Sequence, residues 1–480
     1  MHVNYLSGVC GRFNGRNIEI SPDTDYYKRS WLYPHEFSMA RSRRRRLAMD
    51  KLLKRMSPAR IVALGFALVI LIGSGLLMLP ISIRRGVTLD YIDALYTATS
   101  AVCVTGLIAV DVADTFTPLG QFFVGLLMQI GGLGVALMGA GVMLATGRKF
   151  NLRERALIRE SMNLFSGKGI VRFIKNVFFT TVAFELTGAA LSLIVFARDY
   201  PLPRAIGISL FHSVAAFNNS GFDILGGGRS MTPYKGDVLL NIITCALIFA
   251  GGIGFLVIHE LFAKRFRWRR LSMHAKVVLS VSAALIVAGA LLIKLTENIS
   301  WLGAFFTSVS ARTAGFASYP LGEFSNAGLM AVEVLMFIGA SPGSTGGGIK
   351  TSTLFALLIG VKAAATNQSE KAFRYSMPVE AFRKAAIITF VGLCVVVIGT
   401  YALSALEPGL DMRDALFEVV SAFGTVGLST GITGGLSTGS KLLSIAIMFI
   451  GRIGPLTIIT LWHFSNGKNA RFPYGNIAIG

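Results

Sequence analysis

Charged residues are scarce in this chain: Asp, Glu, Lys and Arg together make up 15% of its 480 residues, and only 25 of them are acidic. A water-soluble domain of ordinary make-up carries about 25%. Cysteine (four) and histidine (six) are also sparse. Cys245 and Cys394 fall in apolar runs and none of the four has CxxC or CxxH spacing, which excludes a disulfide framework or a zinc site. His212, His259 and His274 are isolated and point to helix-end or loop roles rather than catalysis. No Walker motif, no strand–GxGxxG–helix unit and no nucleophile–base pair is present. The stretch GSTGGGIKT at 343–351 lacks the four-residue spacing that a phosphate loop needs before its GK. Enzyme chemistry is therefore not expected.

What fills the chain is apolar: 53% of residues are hydrophobic and the mean hydropathy is +0.62. Long apolar runs occur near 61–82, 119–145, 174–197, 238–262, 277–295, 327–361 (interrupted), 385–406 and 442–464. A spanning helix needs about 20 such residues, so the expected fold is an all-α integral membrane protein with eight transmembrane helices. The net charge of +21 would suggest nucleic acid, but its placement argues otherwise. Segments 49–60, 146–175, 264–276, 362–384 and 466–480 carry 25 Lys or Arg, whereas the intervening ones carry nine, with Arg312 set aside. This alternation is the positive-inside rule. It implies a multi-pass protein of the cell membrane with both termini cytoplasmic, and it accounts for the charge without a nucleic-acid partner.

Residues 1–58 form a basic tail that contains RSRRRR and lacks the apolar core of a signal peptide. The compact lead MDKLLKRMSPARIVALG makes Met49 the expected functional start, with the earlier residues a tail or upstream extension; an arm for anionic membrane lipid is the alternative.

Four stretches align without a gap on a glycine: DALYTATSAVCVTGL at Gly106, ISLFHSVAAFNNSGF at Gly221, LGAFFTSVSARTAGF at Gly315 and DALFEVVSAFGTVGL at Gly427. Each has an aromatic ten residues earlier (Tyr96, Phe211, Phe305, Phe417) and Leu or Phe just after. The units divide the chain into repeat 1 (59–147), repeat 2 with its preceding loop (148–265), repeat 3 (266–365) and repeat 4 with the C-terminal tail (366–480). The segment before each glycine is too short to span, so the spacing predicts a reentrant half-helix followed by an extended strand, four of them around a central pore. Close packing of small residues between membrane helices is the bland alternative, but it does not require four copies in register. A site lined by Gly, Thr, Val and Ala offers backbone carbonyls, which is what dehydrating a monovalent cation requires. Half-helices ending at the axis would direct partial negative charge at that cation. Arg312, beside the third glycine, would cost at least about 2.5–3.5 kcal/mol at membrane depth unless paired. It is expected to point behind the loop, toward Glu418 or Asp414.

With VCVTGL, NNSGF, RTAGF and GTVGL in tandem, the chain from about residue 49 to 466 resembles the Trk/Ktr/HKT superfamily of potassium transporters, and within it the KtrB type of membrane subunit. The resemblance implies a K+ selectivity filter from Val104, Thr105 and Gly106; Asn219, Ser220 and Gly221; Thr313, Ala314 and Gly315; and Thr425, Val426 and Gly427. Family members with Ser at the first glycine tend toward sodium, so four glycines imply potassium, with Na+ as a possible coupled or second ion. It also implies a homodimer and a cytosolic KtrA-like ring of RCK-type subunits that binds ATP or ADP, for which basic loops 146–175, 264–276 and 362–384 offer docking surfaces. A less selective Na+/K+ transporter and a secondary transporter with discontinuous helices are the alternatives.

The inner helices share a second pattern, Gly131–Gly132–Leu133–Gly134, Gly251–Gly252–Ile253–Gly254 and Gly451–Arg452–Ile453–Gly454. In the third repeat Gly339 and Ala340 are followed by Ser341, Pro342, Gly343, Ser344, Thr345, Gly346, Gly347, Gly348, Ile349 and Lys350. No helix survives that composition, so this inner helix is expected to break into an intramembrane loop. The resemblance implies that the loop is a gate and that Arg452 acts on it.

Overall fold

In the computed structural model of this chain, residues 56–147, 150–161, 169–455 and 457–458 are described. The Met49 start and the tail to residue 55 lie outside them, as does everything beyond residue 458, the basic segment 466–480 included.

The regular structure of the described residues is helical apart from one short hairpin. Four helices are long and apolar enough to cross a bilayer unbroken: α1 (Pro58–Leu77), α6 (Ile170–Phe196), α10 (Met273–Thr296) and α14 (Val379–Leu406). Each precedes a shorter helix that ends at an aligned glycine segment: α2 (Tyr91–Cys103), α7 (Leu202–Phe217), α11 (Trp301–Ser310) and α15 (Met412–Gly424). The inner helices follow as α3 (Pro118–Leu133), α8 (Val238–Ile253), α12 (Asn326–Phe337) and α16 (Thr438–Ile453). Hydroxyl and carboxylate N-caps fix their starts: Thr117, Asp237, Ser325 and Ser437 each accept from the backbone amide three residues on.

The inner helices break more often than expected. The runs 119–145 and 238–262 read as single spans, yet α3 turns by 100° into α4 (Val135–Ala145) and α8 by 98° into α9 (Phe255–Ala263). The breaks fall at Gly134 (φ 84°) and Gly254 (φ 90°), and Gly454 (φ 94°) ends α16 in the same conformation. Only glycine adopts that backbone without strain. Counting each bent pair as one span gives six by length and composition among the described residues. In the third repeat two shorter helices, α12 and α13 (Thr351–Thr366), flank the loop at 338–350. A short amphipathic α5 (Leu152–Ser161) and a two-stranded hairpin, β1 (Lys371–Ala372) with β2 (Tyr375–Ser376), lie in the basic connections.

The last repeat packs against the first. Helix α16 lies on α2, where the Lys441 Nζ to Asp93 Oδ1 ion pair (2.6 Å) and the Tyr96–Ser444 hydroxyl pair (3.1 Å) join residues 348 positions apart. Phe306, Phe417, Phe222 and Phe316 are wholly buried around the short helices.

Candidate functional site

The four aligned segments meet. An added Cβ would sit 3.1 Å from Gly221 Cα at Gly106, 2.9 Å from Gly315 Cα at Gly221, 3.1 Å from Gly427 Cα at Gly315 and 2.9 Å from Gly106 Cα at Gly427. Each segment thus touches the next and the fourth returns to the first. A side chain at any of these positions would drive into its neighbour's backbone.

Each segment has the same backbone. The residue two before each glycine is left-handed (Val104 φ 56°, Asn219 φ 58°, Thr313 φ 74°, Thr425 φ 48°), and the glycines themselves have φ of 91°, 68°, 81° and 97°. The intervening Thr105, Ser220, Ala314 and Val426 are absent from the left-handed set, so the sign of φ alternates. Alternation turns successive peptide planes so that their carbonyls share one side. The amides point the other way: Thr105 N–H donates to Ser100 O, Ser220 N–H to Ala215 O, Ala314 N–H to Ser310 O and Val426 N–H to Ser421 O. The Ser100 and Ser421 hydroxyls take the Gly106 and Gly427 amides. None of the carbonyls of residues 104–106, 219–221, 313–315 or 425–427 accepts a hydrogen bond among the described residues. Buried carbonyls are almost always paired, and these are oriented by amides already committed behind them.

Small residues on the inner helices make this possible. Gly131, Gly251 and Gly451 lie against the backbones of Val102, Phe217 and Phe423, where an added Cβ would sit about 3 Å from Val102 Cα, Phe217 C and Phe423 C. Asn218 at the end of α7 donates to Gln129 Oε1 (2.7 Å) and Glu185 Oε1 (3.0 Å), tying the second segment to two further helices. His212, expected at a helix end or in a loop, lies inside α7, buried and paired with Thr244.

Arg312 is buried and points behind its segment, but its partners are not Glu418 or Asp414. It donates to Ser282 O and Gly339 O, both at 3.3 Å. Asp414 pairs with Arg413, and Glu418 accepts from Ser429 and Thr433. A guanidinium has several donors in a fixed fork; backbone carbonyls take one donor from each terminal nitrogen, while Nε is buried with no partner among the described residues.

The loop 338–350 lies against the third and fourth segments. Cβ positions built at Gly346 and Gly347 fall 3.0 Å from Thr313 Cβ and 3.1 Å from Thr425 Cβ. The loop is anchored to the break of α8: Ser341 N–H donates to Gly252 O (3.0 Å), Thr345 N–H to Gly251 O (3.3 Å), and Gly343 O accepts from Phe255 N–H (3.1 Å). Pro342 O abuts Gly254. Within the loop Ser344 Oγ donates to Ser341 O, and Lys350 Nζ donates to Gly346 O (2.7 Å) and Gly347 O (3.3 Å). Gly348 (φ 66°) packs on Gly339. Arg452 on α16 bonds Thr345 O on the loop and Gly131 O on α3, with Gly132 O at 3.3 Å. Loop, first inner helix and fourth inner helix are thereby joined by one side chain. A cavity of about 180 Å³ beneath is lined by Gly132, Gly343, Lys350 and Arg452 among others.

On the opposite side, Asp223 follows Gly221 by two residues. Burial pushes its carboxyl up to about 6, with Asp111 adding to the rise and the Leu225 amide and Arg229 opposing it. Asp111 and Asp114 accept from the Gly228 and Gly227 amides. Sequence inspection did not single out these aspartates, although Asp223 stands beside the second glycine in the GFD triplet.

Residues 45–281 and 275–469 match the family model described as TrkH, cation transport protein. The chain is 36% identical to the Ktr system potassium uptake protein B of Bacillus subtilis over 90% of this chain and all of the relative. It is 36% identical to the potassium/sodium uptake protein NtpJ of Enterococcus hirae over 89% of this chain and 97% of the relative. The crystal structure of the potassium transporter TrkH from Vibrio parahaemolyticus superposes with a TM-score of 0.67 at 19% identity, covering 85% of this chain and 86% of that one.

Proposed function

Because this chain belongs to the TrkH family of cation transport proteins, we propose that it is the ion-translocating membrane subunit of a potassium uptake system, passing K+ through the four aligned segments. One observation carries the reading: the buried carbonyls at 104–106, 219–221, 313–315 and 425–427 have no protein partner while their amides do. Rings of such carbonyls replace a monovalent cation's hydration shell. Helices α2, α7, α11 and α15 end at these segments and add the negative ends of their dipoles. The membrane potential, about 2.3 kcal/mol per charge per 100 mV, supplies the inward drive.

In this reading the four helix–half-helix–helix units surround one pore, and the basic loops place both termini in the cytoplasm of a plasma-membrane protein. The loop 338–350 is the gate. It lies against Thr313 and Thr425, and Arg452 holds it to α3. Relatives named as components of a Ktr system support a partner subunit, here a homodimer under a cytosolic nucleotide-binding ring of the RCK type. Na+ as a second transported ion is favoured by the unlike side chains Asn219 and Arg312 around the segments, and a relative is named for both ions.

Expression in a potassium-uptake-deficient bacterium, with and without a ring-forming partner, tests the proposal. Growth at low external potassium is the expected result. No growth in either condition, with the protein folded in the membrane, overturns it.

A further inference from the structure

A second cavity, of about 780 Å³, lies away from the aligned segments, among the ends of α9, α10, α13 and α14. It is flanked by the basic connections 264–276 and 362–384, so it opens at the cytoplasmic side. Three helices begin on it. Ser272 and Met273 come from the start of α10, Ser352 and Thr353 from that of α13, and Pro378 and Ala381 from that of α14. Helix starts present the positive end of the dipole; at α10 the Glu260 carboxylate already takes the Ser272 amide, so the starts of α13 and α14 are the two left to favour an anion. Thr353 supplies a second, independent sign: it is 9% exposed, lines the cavity, and its hydroxyl has no hydrogen-bond partner among the described residues.

The remaining wall has two characters. Leu256, Val277, Phe355, Ala385 and Ile388 make it apolar, while the exposed rim carries His259 and Lys384, the latter free of any ion pair among the described residues. One carboxylate faces in, that of Glu260, and it is already neutralised by Lys264 Nζ (2.5 Å) and by the Ser272 amide and hydroxyl (both 2.6 Å). A small inorganic anion would leave the apolar wall uncovered, and a hydrocarbon would leave the helix starts and Lys384 unused.

We infer that this cavity holds an anionic phospholipid of the cytoplasmic leaflet, its phosphate at the starts of α13 and α14 beside Lys384 and an acyl chain against the apolar wall. Since α13 is the helix that leaves the 338–350 loop, an occupant braces that loop's cytoplasmic end. That last consequence rests on the gating reading; lipid binding does not.

The test is native mass spectrometry of the full chain in detergent, titrated with phosphatidylglycerol, with phosphatidylcholine and with inorganic phosphate. Phosphatidylglycerol should be retained in preference to phosphatidylcholine. Lys384→Gln should lower its retention about fivefold, the effect of one basic residue at an anionic surface, and Ala356→Trp, which fills the cavity, should abolish it. Lys384 is exposed, so its variant reports even where the Trp variant fails to fold. Equal retention of phosphatidylcholine, unchanged phosphatidylglycerol binding in Lys384→Gln, or displacement of the lipid by inorganic phosphate alone would each overturn the inference. Loss of transport with lipid binding intact would strike the gating reading and leave this one standing.

Discussion

At Gly315 two independent penalties coincide. Its φ of 81° is strained for any other residue, and an added Cβ would meet Gly427 Cα at 3.1 Å. Gly315→Ala is expected to keep the protein in the membrane, destabilise it by about 1–3 kcal/mol, and blunt discrimination of K+ from Na+. Competitive ion uptake in vesicles measures the discrimination and thermal unfolding the cost. Asp223 gives a pH prediction. Its folded value of about 6 lies above the ordinary 3.8, so the folded state holds this proton more tightly, and stability falls as pH rises from about 4 to 6. The carboxylate is charged above about 6 and neutral below. Cation uptake should therefore decline as external pH falls through 6, and Asp223→Asn should flatten that profile, read as initial uptake rate against pH. The four glycines were legible because one constraint is written into the chain four times. The partners of Arg312 were not, since it bonds carbonyls of Ser282 and Gly339, and a carbonyl leaves no mark on residue identity.

Among the elements, the loop between α12 and α13 and the side chain of Arg452 form one device. Arg452→Gln removes the link between Thr345 O and Gly131 O and is expected to raise flux and weaken its regulation. Replacing residues 343–347 by Ala should do the same, and unchanged transport in proteoliposomes would remove the gating role from both. The composition of 339–350 announced this break, because Pro and repeated Gly forbid a helix. The bends at Gly134 and Gly254 were less legible. Glycine in a membrane helix also serves close packing, as Gly131 does against Val102 and Gly251 against Phe217, and the pattern alone does not separate the residue that packs from the one that turns.

For the whole molecule, the seam between the last and first repeats is the place to probe. Lys441 and Asp93 are both largely buried, with side chains 10% and 15% exposed. Removing one partner of such a pair leaves an uncompensated charge, so Lys441→Met should cost about 3 kcal/mol, seen as a lowered unfolding temperature. Lys441→Met combined with Asp93→Leu should recover most of it. Nothing in the sequence joined these two residues, because pairing over 348 positions follows from closure of the ring rather than from any local pattern. Membrane class, by contrast, was open to reading from composition alone, since bilayer thickness acts on every segment separately.

That closure has a temporal consequence. Gly427 completes the contact with Gly106, so during synthesis a chain carrying only three of the segments has an open side. On the proposed reading, the ribosome must deliver almost the whole polypeptide before the four segments can enclose an ion path, so assembly of the path waits on the end of synthesis.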